Sequence, residues 1–229
     1  MEFDVVLVVF FVLAVVIFLQ LRSALGKRTG NERPPFDPMK RTPASSPARG
    51  DDNVVPMAKK QNRRSDDFSD IDAIAPQSSR LNEGLRAIRA ADSSFSPQSF
   101  SDGSRMAYEM VMTAFANGDT NTLKTLLAKD VFDGFNTAIS EREANGEKVK
   151  FSFVGIDKAD IVAADLNNGV AEITVRIASE VISATYDKNE NLVEGDPQEV
   201  TQLHDLWTFA RDPRSRDPNW QVIATDEDA

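Results

Sequence analysis

The chain has 229 residues, no cysteine, one histidine and a net charge of −10. Without cysteine there is no disulfide framework and no thiolate-held metal, and a lone His204 excludes multi-histidine metal sites. The charge is uneven: residues 22–64 carry eleven Lys/Arg against four Asp/Glu, and residues 65–229 carry fifteen against thirty, so the C-terminal part is too acidic to be read as nucleic-acid-binding.

Val5 to Leu19 is a run of fifteen apolar residues, and Phe3 and Leu21 extend it. As a helix it is long enough for a bilayer core, which predicts a transmembrane helix over 3–21. The residues before it are acidic, and the cations Arg22, Lys27 and Arg28 follow it. A cleaved signal peptide has the reverse order, so the helix reads as an anchor. Basic flanks stay in the cytoplasm. The expected placement is a single pass through a bacterial inner membrane, with the N-terminus periplasmic and the rest cytoplasmic.

Residues 22–78 hold seven of the eleven prolines and no sustained period. They read as a disordered basic, Pro-rich linker, with Asp52-Asn53-Val54-Val55-Pro56 and Phe68 to Ile74 as short apolar islands that are either partner-docking motifs or plain spacer. Its cations suit anionic lipid head groups. Over 79–91, Leu81, Leu85 and Ile88 form one apolar face, with Arg86 and Arg89 off it. This is a short basic amphipathic helix that could lie on a membrane or pack on the domain or a partner. The expected membrane-facing cations are Arg22, Lys27, Arg28, Arg86 and Arg89.

A domain over 92–229 follows. Ser96-Pro97 starts a helix and Asn117-Gly118 ends it, with Phe100, Ala107, Met110, Val111, Ala114 and Phe115 inward. Asp119 caps a short helix. Asp130 opens a third, with Val131, Phe132, Phe135 and Ile139 inward, and Gly146 stops it. Beyond Gly146 the period changes to two. Val149, Phe151 and Phe153 alternate with polar residues, and Ile161 to Leu166 is a second strand or a continuation past a bulge at Gly155–Asp157. Asn168-Gly169 predicts a hairpin turn into a strand with Ala171, Ile173, Val175 and Ile177 on one face. Residues 186–197 read as a loop. Thr201, Leu203, Asp205, Trp207 and Phe209 share a face of the next strand, and Trp220 to Thr225 is the last. The class is α+β, with helices packed on a curved antiparallel sheet.

No constellation for catalysis stands out. There is no Gly-rich phosphate loop, no nucleophile elbow and no histidine metal motif. Asp205 is the anomaly, a carboxylate on an aromatic face. It could be a base with a raised pKa, pair with Arg176 or Arg211, or sit at a pocket rim. Helices over a curved sheet leave an apolar pocket for an acyl chain or peptide. The residues expected to line it are Tyr108, Met112, Phe135, Ile139, Phe153, Val175, Asp205, Trp207 and Phe209. No cofactor, metal or catalytic residue is expected.

An ordered set of residues carries a resemblance: Asp92-x-x-Phe95, Phe100, Gly103-x-x-x-Ala107-Tyr108-Glu109, Ala114-Phe115-Ala116-x-Gly118-Asp119-x-x-x-Leu123, Phe135-x-x-Ala138-Ile139, Arg142-Glu143, Trp207-x-Phe209-x-Arg211-Asp212 and Asp217-Pro218-Asn219-Trp220-x-Val222. It resembles the C-terminal domain of the mitochondrial import motor anchor, the forty-four-kilodalton Tim subunit, and more closely its alphaproteobacterial TimA-type adaptor counterparts. The resemblance implies a cone like that of nuclear transport factor two, an apolar pocket, affinity for anionic membrane lipids such as cardiolipin, and scaffolding without catalysis. The mitochondrial chaperone-tethering region has no match in residues 22–78. The expected function is a membrane-tethered adaptor. The alternative is a membrane-anchored small-molecule sensor or enzyme using the pocket.

Overall fold

The computed structural model describes residues 67–228. The 3–21 run, Arg22, Lys27, Arg28 and the linker up to residue 66 lie outside them. Among the described residues no helix is long and apolar enough to cross a membrane.

Among the described residues five helices precede five strands: α1 Ser69–Asp72, α2 Arg80–Ala91, α3 Pro97–Asn117, α4 Thr120–Leu126, α5 Lys129–Asn145, β1 Lys148–Asn167, β2 Val170–Tyr186, β3 Leu192–Gly195, β4 Thr201–Arg211 and β5 Gln221–Glu227. The strands form one antiparallel sheet in the order β1-β2-β4-β5, with β3 beside the far end of β2. α2 and α3 pack on β1, and α5 reaches β5. The domain is therefore helices on an antiparallel sheet, the α+β class that the change of period predicts.

Local chemistry sets the element ends. Ser79, Ser96 and Asp119 each accept the amide three residues on, which satisfies a free N–H at a helix start. Asn168 and Gly169 both take positive φ, 53° and 84°, as a two-residue hairpin turn needs. β1 is a single strand of twenty residues with register shifts at 153/155, 156/158 and 161/163. Of the two readings of Ile161–Leu166, continuation past a bulge is the one realised. Bulges bend a strand and deepen its twist, and these three curve the long β1–β2 ribbon around the helices.

The core lies between the layers. Ile173, Val175 and Ile177 are fully buried on the inner face of β2, beside Trp207 and Phe209 of β4. Phe100, Tyr108, Val111 and Ala114 descend on them from α3. Gly84 lets α2 sit directly on β1: a Cβ there would stand 1.8 Å from the carbonyl oxygen of Ala164.

Some details depart from the sequence reading. Residues 67–78 fall in the expected linker, yet they fold onto α2, with Ile71 and Ala75 buried. Met110 is 49% exposed, not inward, and its place is taken by Ser104 and Tyr108. The loop expected over 186–197 contains β3, whose exposed Leu192 and Val193 give no burial alternation to read.

Candidate functional site

Two features stand out, a buried polar set and an open groove. α3 lowers Tyr108 onto the sheet, where its ring centroid lies 4.7 Å from that of Trp207 and 6.1 Å from that of Phe153. Its hydroxyl donates to Asp205 Oδ2 at 2.6 Å and lies 2.9 Å from Ser179 Oγ. Burial pushes the Asp205 carboxyl above the usual carboxylate range. The Tyr108 hydrogen bond opposes the shift, and Glu227, facing Asp205 across the β4–β5 ladder, adds to it. Burial, then the neighbouring Asp205, pushes the Tyr108 phenol far above its ordinary value, so it remains a donor. Neither Arg176 nor Arg211 is the partner of Asp205: Arg176 pairs with Asp228 at 2.7 Å, and Arg211 pairs with Asp92. Tyr108 and Asp205 do not line the groove. The set ties α3 to the sheet.

The groove, of about 500 Å³, runs between the N-terminal half of α3, the end of β4 and the approach to β5. Phe95, Phe100, Phe209 and Trp220 form its apolar floor, with Phe100 4.8 Å from Trp220 and 5.7 Å from Phe209 between ring centroids. Met106 and Met110 form an exposed wall, and Ser94, Ser96 and Ser99 add hydroxyls. Asp92 and Arg211, each 13% exposed, pair at one end. The Arg211 guanidinium lies 5.2 Å over Trp220, and its Nε is buried without a hydrogen-bond partner among the described residues. Burial works to raise the Asp92 carboxyl, but the Ser94 hydroxyl and amide and Arg211 outweigh it, and its pKa falls below the ordinary value. A Met- and aromatic-lined trough of this kind suits apolar side chains of varied shape.

The residues expected to line a pocket are therefore only partly brought together. Tyr108, Phe153, Val175, Trp207 and Phe209 do converge, but as packed core. Of the nine, Phe209 alone reaches the groove. Phe135 lies on α5 against Phe115, 5.1 Å away, with Ile139 buried on the same helix, and Met112 packs against the core from α3. Phe95, Met106, Met110 and Trp220 were missed as site residues. The signal in the sequence was the two methionines, Met106 and Met110, in the middle of an otherwise polar helix face.

The two described cations expected at a membrane are committed elsewhere. Arg86 donates to Asp72 at 2.5 Å and to Asn82 Oδ1 at 2.7 Å, and lies over the Phe68 ring at 4.3 Å. Arg89, only 8% exposed, donates to Asp70 at 2.6 Å and to the Asp67 carbonyl at 3.3 Å. They clamp α1 to α2, because α1 folds back over the face that a helical wheel leaves open.

Among solved structures, the chain is similar to the intermembrane-space region of the chloroplast protein ARC6 (10% identity, 56% of this chain and 95% of that one, TM-score 0.40). It is also similar to an NTF2-like family protein of Streptomyces avermitilis (12% identity, 57% and 95%, TM-score 0.30). No curated protein matches it. The family model for the Tim44-like domain matches residues 81–227, from α2 through β5 and the whole groove, and the chain belongs to that family.

Proposed function

We propose that the chain is a membrane-tethered adaptor. Residues 3–21 anchor it in a bacterial inner membrane with the Tim44-like domain cytoplasmic, and Arg22, Lys27 and Arg28 meet anionic lipid head groups. The domain takes an apolar peptide or acyl segment of a partner into the Phe95–Phe100–Trp220 groove. The observation behind this reading is the groove itself, in which two exposed methionines and a half-buried Trp220 stand over buried Phe95, Phe100 and Phe209. The reading contains no catalytic step: the Asp205 carboxyl is held by Tyr108 and stands apart from the groove.

The test is binding of a fluorescein-labelled apolar nonapeptide to the full chain in vesicles, by anisotropy. Met106→Asp/Met110→Asp changes exposed positions only, so folding should persist while affinity falls at least about tenfold, as two charges set in an apolar contact imply. Unchanged affinity would discard the groove. A reporter fused after Ala229 should be active in the cytoplasm; activity of a periplasm-only reporter would reverse the placement.

A further inference from the structure

We infer that the groove is also filled in cis, by the linker segment Val54-Val55-Pro56-Met57 of the same chain. This rests on the groove being a peptide site and adds its resident occupant. The direction of the chain carries the argument. Asp72 sits against Asn82 and Arg86, Asp70 against Arg89, and the Asp67 carbonyl also against Arg89. As residue number falls from 72 to 67, the backbone therefore travels up α2 toward its C-terminus. Three residues beyond Arg89, about 4.5 Å along a helix, stands Asp92, which closes one end of the groove. The described chain thus begins beside Arg89, at the end of α2 that leads to Asp92 and the groove.

Nine residues separate Met57 from Asp67, a reach of about 33 Å when extended. A segment on so short a tether has an effective concentration in the millimolar range. Val54 to Met57 is the nearest uncharged apolar stretch upstream, and a proline lowers the entropy lost when a peptide binds in an extended form. Charge agrees. Lys59, Lys60, Arg63 and Arg64 lie between the segment and Asp67, while Asp102 and Glu109 are exposed on the same stretch of α3 as Met106 and Met110. A partner peptide must then displace the chain's own linker, so the linker sets the threshold for recruitment.

The test uses the full chain in vesicles. With no native cysteine, Val55→Cys/Met110→Cys reports docking by disulfide formation, and Ala44→Cys/Met110→Cys is the control. Tether length alone favours the nearer cysteine about threefold, by the −3/2 power dependence; docking should raise this above about twentyfold, with a monomeric product. A ratio of threefold or less, or a dimeric product showing that a second copy fills the groove, overturns the inference. In the second arm, a labelled peptide of residues 50–58 is titrated onto the wild type and onto Val54→Ser/Val55→Ser. Docking predicts about tenfold tighter binding to the variant, whose groove is vacated. Equal, measurable affinity overturns cis docking and leaves the groove reading standing. No binding to either chain together with no preferential disulfide removes both. Fast disulfide formation without peptide binding keeps cis docking and removes the groove as a site for outside partners.

Discussion

Tyr108 donates its hydroxyl to Asp205 at 2.6 Å across ninety-seven residues of sequence, joining the middle of α3 to the centre of β4 inside an aromatic shell. Tyr108→Phe keeps the ring and leaves Asp205 without its donor. A buried acceptor that loses its partner costs about 1–3 kcal/mol. Denaturant unfolding of the full chain, followed by the fluorescence of Trp207 and Trp220, should show a loss of that size. A change under about 0.5 kcal/mol would mean that water replaces the phenol.

The same pair sets a pH dependence. The folded Asp205 carboxyl has its pKa raised above the unfolded value, chiefly by burial. Its contribution is therefore fully present below the unfolded carboxylate pKa of about 3.9 and is lost as pH rises through the folded pKa. Asp205→Asn stays neutral and still offers Tyr108 an acceptor oxygen. Its melting temperature relative to wild type should shift in the variant's favour between pH 4 and pH 8. A constant difference would show that the carboxyl titrates alike in both states.

The α1 clasp has the opposite sign. Hydrogen bonds from Asn82, Arg86 and Gln77 lower Asp72 to about 2. Its contribution is present above pH 3.8 and is lost as pH falls through about 2. Amide exchange in Ile71–Ala75 should accelerate over that interval while the β2 core stays protected. Uniform acceleration of both would make the clasp part of the global unit.

Two glycines should respond oppositely to alanine. Gly84→Ala gains about 1 kcal/mol of helix propensity, but its methyl would meet the Ala164 carbonyl at 1.8 Å, so α2 must lift from β1. The net expectation is a loss of about 1–3 kcal/mol. Gly134, in α5, faces open space: a methyl added there would meet no atom within 4 Å. Gly134→Ala should therefore gain about 0.5–1 kcal/mol. Melting curves of the two variants on opposite sides of wild type are the check.

Much of the fold was legible because local chemistry and tertiary structure agree. Ser96-Pro97, Asn168-Gly169 and the alternation around Ile173–Ile177 each point to one conformation, and each is realised. The site was less legible, because periodicity identifies an apolar face without saying what covers it. Trp207 and Phe209 share a strand face, yet only Phe209 reaches the groove. Met110 reads as core by spacing and is half exposed because the buried side of α3 runs through Phe100, Ser104, Tyr108, Val111 and Ala114, and Met110, two residues past Tyr108, faces away from it. Arg89 reads as surface on its own helix and is buried by a four-residue turn nineteen positions upstream. A four-residue helix that folds back on ion pairs is too short to show a period.

β1 ends the sheet on its own side, with no strand beyond it among the described residues. Twenty residues of free ladder would invite a neighbouring molecule to add a strand. The three register shifts leave no straight stretch longer than the six residues Lys148–Phe153, and that one carries Lys148 and Lys150. The bulges that bend the ribbon around the helices thus also deny it a self-complementary border. A domain bordered in this way stays a separate molecule and does not seed a growing sheet.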